Sequence, residues 1–337
     1  MSPRESDRPR RNASGPRALA VEPAGRGSAS VRGTCYGFEV HSSLDFAFLR
    51  PGSGTPLFIE EDDLSGRAPD EMTSLQSWGE IPGKRALTRL YGAEDGFEVM
   101  IGREYRFRIL TPSLEPRHSP APPRLLVSPA RSSEDREILL WTTPAAVAIS
   151  LQADLALHAA SIDVGGEAVL LAGPSGAGKT TTAAALHAAG TRVLADDLTR
   201  CNPRGHPSVF PGPAVLRLRD DTARRYASDS QPTSHRRKTR LIVPAGRRGD
   251  GAPVPLRAIY FLASAPGAFE ARPIEPTEAL QRLWPCSFYL PGEMNRRRCF
   301  QLLAELVGKV PAWELSRKVD WATLPDLVDR IATGTRP

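Results

Sequence analysis

The sequence contains no apolar run of about eighteen residues, so no membrane-spanning helix is expected. Its charged amino-terminal stretch holds no hydrophobic segment, so no secretory leader is expected either, and Glu5, Asp7 and Glu22 argue against a transit peptide. Cysteine is scarce. Cys35, Cys201, Cys286 and Cys299 form no Cys-x-x-Cys pair and have no histidine at the spacing of a metal clip, which argues against a zinc module and leaves reduced thiols of a cytoplasmic protein. The basic clusters His235-Arg-Arg-Lys-Thr-Arg240 and Arg296-Arg-Arg298 have no aromatic interleaving, so nucleic acid is not an expected partner. They read as a solvated loop and a solvated helix face, with a site for an acidic peptide or for phosphate as the alternative. There is no internal repeat.

What is present suggests two lobes behind a tail. Residues 1–34 carry Arg, Ser, Gly and Pro with almost no large apolar side chain, so they cannot offset the entropy of ordering and are expected to be disordered. Seven arginines against three acids there account for four of the six net positive charges of the 337-residue chain. The overall basicity is therefore weak support for a polyanion partner.

Residues 35–133 read as a small antiparallel β-rich domain with a Pro-rich connector. Its strands are placed at Tyr36–Val40, Pro56–Ile59, Gly96–Ile101 and Tyr105–Ile109, and the connector covers 111–133. Residues 134–337 read as an α/β domain. Helical spacing runs from Glu134 to Leu157, with a break or kink at Pro144. Strands follow at 159–164, 168–172, 192–195, 241–244 and 256–262, and helices at 180–189, 277–284, 293–307 and 321–332. The polar segment 220–240 lacks a period and is expected to be a mobile loop.

Within this second region lies Gly173-Pro-Ser-Gly-Ala-Gly-Lys-Thr180, a complete Walker A motif between the apolar run Ala168–Ala172 and an Ala/Thr-rich helix stopped by Gly190. Phosphate binding needs this pattern. Glycines let backbone N–H groups turn inward, and the helix N-terminus adds its positive dipole. Gly173, Pro174, Ser175, Gly176, Ala177, Gly178, Lys179, Thr180 and Thr181 are thus the expected ATP-binding residues, with Lys179 reaching the β- and γ-phosphates and Thr180 ligating Mg²⁺. The motif alone does not separate a kinase from an ATPase or a GTPase.

After the helix, Val193-Leu-Ala-Asp-Asp197 reads as a strand lying beside the phosphate-loop strand and ending in paired acids that face the metal. One of Asp196 and Asp197 can hold Mg²⁺ while the other takes a proton from an attacking hydroxyl. Which is the base stays open. His158 opens the hairpin leading into the phosphate-loop strand and could approach the same phosphates.

The run Leu157-His-Ala-Ala-Ser-Ile162, the Walker A segment and Leu194-Ala-Asp-Asp-Leu198 together resemble the core of the HPr kinase/phosphorylase family. That core is itself similar to ATP-dependent phosphoenolpyruvate carboxykinase. The likeness is strong over 157–200 and weaker through Phe210–Leu218, Lys238–Leu241 and Val310–Leu315. His158 is followed by Ala-Ala-Ser where genuine HPr kinases have Gly-Val, so the chain resembles the wider HPr-kinase-like group. Some of that group are similar to kinases acting on a serine of a ribosomal precursor peptide.

The resemblance implies a P-loop kinase domain of the HPr kinase/carboxykinase type, with His158, Lys179, Asp196 and Asp197 as catalytic residues. It further implies Thr180, Asp196 and Asp197 at Mg²⁺, a basic residue at Lys238 or Arg240 reaching the phosphates, and homo-oligomeric assembly. The activity it points to is ATP-dependent phosphorylation of a serine on a protein or peptide. The alternatives are a small-molecule or carboxykinase-like phosphotransferase and a non-catalytic ATP-dependent regulator.

Overall fold

A computed structural model describes residues 30–64, 74–78, 88–111, 122–226, 231–232, 239–244, 248–267, 269–318 and 320–333. The expectation for residues 1–29 lies outside them. Strands β1 (Ser30–Cys35), β2 (Phe38–Ser42), β3 (Thr55–Glu61), β4 (Ser74–Trp78), β5 (Thr88–Ala93), β6 (Gly96–Ile101), β7 (Tyr105–Leu110) and β8 (Arg124–Val127) form one sheet, ordered β1-β2-β3-β8-β7-β6-β5-β4. In β7, Tyr105, Phe107 and Ile109 are buried while the residues between them are half-buried, the period-2 pattern of a sheet with one covered face.

Three expectations change here. The sheet is mixed and not purely antiparallel, because β3 runs parallel to both β2 and β8. Part of the segment expected as connector supplies β8, in which Leu125 and Val127 are buried. The expected tail ends earlier, since β1 starts at Ser30 and hydrogen-bonds along β2.

Helices α1 (Ser133–Leu140) and α2 (Thr143–Leu151) pack in the same apolar cluster as the first sheet. The Ser132 side chain caps α1, and Pro144 stands in the first turn of α2, where its missing N–H costs nothing. The helical stretch expected over 134–157 does break next to Pro144, into two helices, and its last three residues form a strand instead. Ala153 takes φ 58° after the cap of α2, and Leu155–Leu157 leaves as strand β9, paired with a later strand at Thr199–Cys201.

The second sheet contains β10 (Ala160–Val164), β11 (Glu167–Ala172), β12 (Arg192–Ala195), β13 (Thr199–Asn202) and β14 (Ser208–Phe210). After β15 (Val215–Leu218), β16 (Gln231–Pro232) and β17 (Thr239–Ile242), which form a small separate sheet, it resumes with β18 (Val254–Ser264), β19 (Glu270–Ile274), β20 (Ser287–Phe288) and β21 (Ala312–Arg317). Its helices are α3 (Lys179–Ala188), α4 (Asp220–Tyr226), α5 (Pro276–Leu283), α6 (Glu293–Lys309) and α7 (Leu324–Ala332). The stretch expected as a loop over 220–240 begins as α4 and ends in β17; residues 227–230 and 233–238 lie outside the described set.

The topology fixes which ends meet. β11, β18 and β21 are parallel neighbours, and β10 is antiparallel to both β11 and β12. The carboxyl ends of β11, β12, β18 and β21 therefore share one edge with the amino end of β10. β12 does not lie beside β11, as the sequence suggested. The Gly165-Gly166 turn folds β10 back between them.

Candidate active site

Gly173–Gly178 connects the buried end of β11 to the first residue of α3. At Gly173, φ is 140° and a Cβ would sit 2.8 Å from the Leu262 carbonyl oxygen on β18, so only glycine fits. Gly178 stands left-handed at φ 94° as the cap of α3. Pro174, Ser175 and Gly176 form the exposed crest, and Ala177 donates its N–H back to Pro174 at 3.2 Å. The first amides of α3 have no acceptor within the helix, which leaves donors suited to an anion.

Lys179 is only 8% exposed. Its ammonium donates to the carbonyls of Gly173 at 2.8 Å and Pro174 at 3.2 Å and so braces the loop from inside. Burial lowers its pKa, against which Cys286, Asp197 and Asp196 act in the other direction. The next two hydroxyls reach outward from the helix. Thr180 Oγ1 donates to Asp196 Oδ1 at 2.9 Å, and Thr181 Oγ1 shares a hydrogen bond with Thr222 Oγ1 of α4 at 3.1 Å.

The two aspartates have different partners. Asp196 is buried, and its other oxygen accepts from the Arg217 backbone N–H at 3.5 Å. Asp197 pairs with the Arg217 guanidinium. Burial alone would lower the Arg217 pKa, but the charge and hydrogen bond of Asp197, with Asp196 behind, outweigh it and raise it.

Asp197 also carries an unusual backbone. Its φ is 64°, and the Leu198 N–H donates to the Asp196 carbonyl at 2.8 Å, which closes a γ-turn of the rare positive-φ kind. His158, at the amino end of β10, holds this turn: its Nδ1 lies 2.8 Å from the Asp197 carbonyl oxygen. A carbonyl only accepts, so Nδ1 carries the proton and Nε2 of the neutral ring, which is exposed, is left as an acceptor.

The structure thus brings Lys179, Thr180, Asp196, Asp197 and His158 to one edge of the sheet, and it adds two arginines that sequence reasoning missed. Arg217 sits in the Val-Leu-Arg-Leu strand β15, where a lone cation between apolar neighbours was the available signal. Arg317 ends β21. Its Nη1 donates to the Lys318 carbonyl at 3.0 Å, the Asp320 carbonyl at 3.2 Å and Thr323 Oγ1 at 3.0 Å, while Nη2 lies 3.6 Å from where a Cβ on Gly178 would be. Burial lowers its pKa and Asp320 raises it.

Of the two basic residues expected to reach the phosphates, Arg240 is engaged elsewhere, its guanidinium paired with Glu134 and Asp135 on α1, and Lys238 lies outside the described residues.

Among the described residues, no three His, Cys, Asp or Glu side chains cluster as a self-sufficient metal site. The donor set that does exist is two carboxylates and a hydroxyl, with Asp196 and Thr180 already in contact. Hard oxygen ligands of this kind suit Mg²⁺ when a ligand's phosphate oxygens complete the shell. Among the described residues, no helix is long and apolar enough to cross a membrane. Of the four cysteines, Cys35, Cys201 and Cys299 are buried and Cys286 is half-buried, and none is bonded to another.

No family model matches the chain, and no curated protein matches it. Among solved structures, the Hpr(Ser) kinase/phosphatase from Coxiella burnetii is similar over 53% of this chain and 94% of that one, at 13% identity and a TM-score of 0.29.

Proposed function

We propose that this chain is an ATP-dependent phosphotransferase whose acceptor is a serine hydroxyl of a protein or peptide. The observation that carries the reading is the 2.9 Å contact of Thr180 with Asp196, which joins the first turn of α3, just after the glycine-rich turn, to the end of the aspartate strand. Bound there, Mg²⁺–ATP supplies the phosphoryl group and the cation that offsets its charge.

The residues then divide the work. Amides of the turn and of the start of α3 orient the phosphates, and Lys179, turned from Gly173 and Pro174, neutralises them. Thr180 and Asp196 hold the cation. Asp197, oriented by Arg217 and the γ-turn, stands in the outer shell of that cation and accepts the hydroxyl proton. His158 keeps the turn in place and presents Nε2 to the pocket edge.

Incubation of the chain with γ-³²P-labelled ATP and candidate serine peptides tests this. Label on peptide or protein is the expected result. Release of free phosphate alone would make the protein an ATPase, and binding without turnover would make it a nucleotide-dependent regulator.

A further inference from the structure

Tyr36 sits at the β1–β2 turn of the first sheet, yet it is fully buried, because the turn inserts its side chain beneath the aspartates of the second sheet. Its hydroxyl donates to the Leu198 carbonyl at 2.9 Å, with the Trp141 carbonyl further off at 3.4 Å. Its backbone is anchored as well. The Tyr36 N–H donates to Pro211 at 2.7 Å, and Arg200 Nη1 donates to the Tyr36 carbonyl at 2.6 Å.

The receiving surface is shaped for this insertion. A Cβ on Gly212 would stand 2.5 Å from the Tyr36 ring, and one on Gly37 would stand 2.4 Å from the Phe210 ring. Glycine at both positions lets turn and loop touch. A second side chain from the same sheet grips the aspartate strand directly. Arg50, buried at 1% exposure, donates from Nη2 to Val193 at 2.9 Å and Leu194 at 3.0 Å, and from Nε to Gly212 at 2.8 Å. An isolated β-hairpin turn gains nothing from such a contact set.

We infer that Tyr36 is a positioning residue for Asp197: by holding the Leu198 carbonyl it fixes the γ-turn that aims the Asp197 carboxylate, an inference that rests on the function proposed above. The residue at the centre of such a turn relaxes toward negative φ unless its neighbours hold it. His158 holds the Asp197 carbonyl and Tyr36 the next one, from opposite sheets. Burial, then Cys35, Asp197 and Asp196, keep the Tyr36 hydroxyl protonated and therefore a donor.

The test uses the full-length chain, with Mn²⁺ and ADP as probe and free Mn²⁺ read by electron paramagnetic resonance. Tyr36→Phe keeps the ring and removes one hydroxyl. It is expected to weaken Mn²⁺ binding in the presence of ADP about tenfold, the scale of lost outer-shell support at metal sites, while metal-free ADP binding stays unchanged. Hydrogen exchange of the segment around Leu198 rises in the same variant. In an Asp197→Asn background the hydroxyl's removal costs nothing more.

Arg50→Lys, which loses the bonds to Val193 and Leu194, gives the same direction of change should Tyr36→Phe not fold. Unchanged Mn²⁺ affinity in a folded Tyr36→Phe overturns the inference alone. Absence of any Mn²⁺–ADP complex in the wild type overturns the nucleotide reading and the inference with it.

Discussion

Arg217 and Arg240 face each other across the β15–β17 ladder, but their guanidinium groups serve different ends of the molecule. Arg217 pairs with Asp197 in the candidate site, and Arg240 pairs with Glu134 and Asp135 at the start of α1. The two should therefore have opposite phenotypes when removed.

Arg240→Ala strands the buried Asp135 carboxylate and should cost about 3 kcal/mol of stability, with phosphoryl transfer at low temperature retained. Arg217→Ala should lower transfer about a hundredfold, as expected when the base it orients is misplaced, with a smaller change in unfolding midpoint. Urea unfolding and label transfer on the two variants check the pair. Equal loss of activity in both would remove the distinction.

The γ-turn at Asp197 makes a prediction independent of catalysis. Asp197→Ala and Asp197→Gly both remove the carboxylate, but only glycine adopts φ 64° freely. The Gly variant should be more stable than the Ala variant by about 1 kcal/mol. Denaturant midpoints decide it, and an Ala variant as stable as Gly would mean that the turn is not held.

Glu137 offers a pH signature in the first half of the chain. Burial raises its pKa to about 7, against the pull of backbone N–H bonds from Ala47 and Phe48 and a side-chain bond from Trp141. Between about pH 4.5 and 7 the folded chain keeps a proton that the unfolded chain has lost. Stability from this group is therefore full below pH 4.5 and falls as pH rises to 7, by up to about 1.4 kcal/mol per pH unit. Glu137→Gln should flatten that slope in urea titrations across the range. An identical slope in the variant would show that Glu137 ionises normally.

The parts legible in the sequence were the locally determined ones. An apolar strand, three glycines and an Ala-rich helix specify their own geometry, and so did the alternating strand around Phe107. Pro144 marked the break in the helical stretch, which falls at the start of α2 because a first helical turn tolerates proline. What escaped was set by pairing between distant segments. β8 follows a Pro-rich stretch and is a strand only because β3 and β7 flank it. Nothing local shows that β10 separates β11 from β12, and Arg217 gains meaning only when its strand is folded against Asp197. Tyr36 is the extreme case, since its hydrogen-bond partner Leu198 lies 162 residues along the chain.

The most direct test of the shared pocket is calorimetric titration of ATP into the full-length chain with and without Mg²⁺, for the wild type and for Thr180→Ala and Asp196→Asn. If hydroxyl and carboxylate hold one cation at the glycine turn, Mg²⁺ tightens ATP binding to the wild type about tenfold or more and has no such effect on either variant. ATP binding that is indifferent to Mg²⁺ in the wild type, or equally Mg²⁺-sensitive in both variants, would contradict the account.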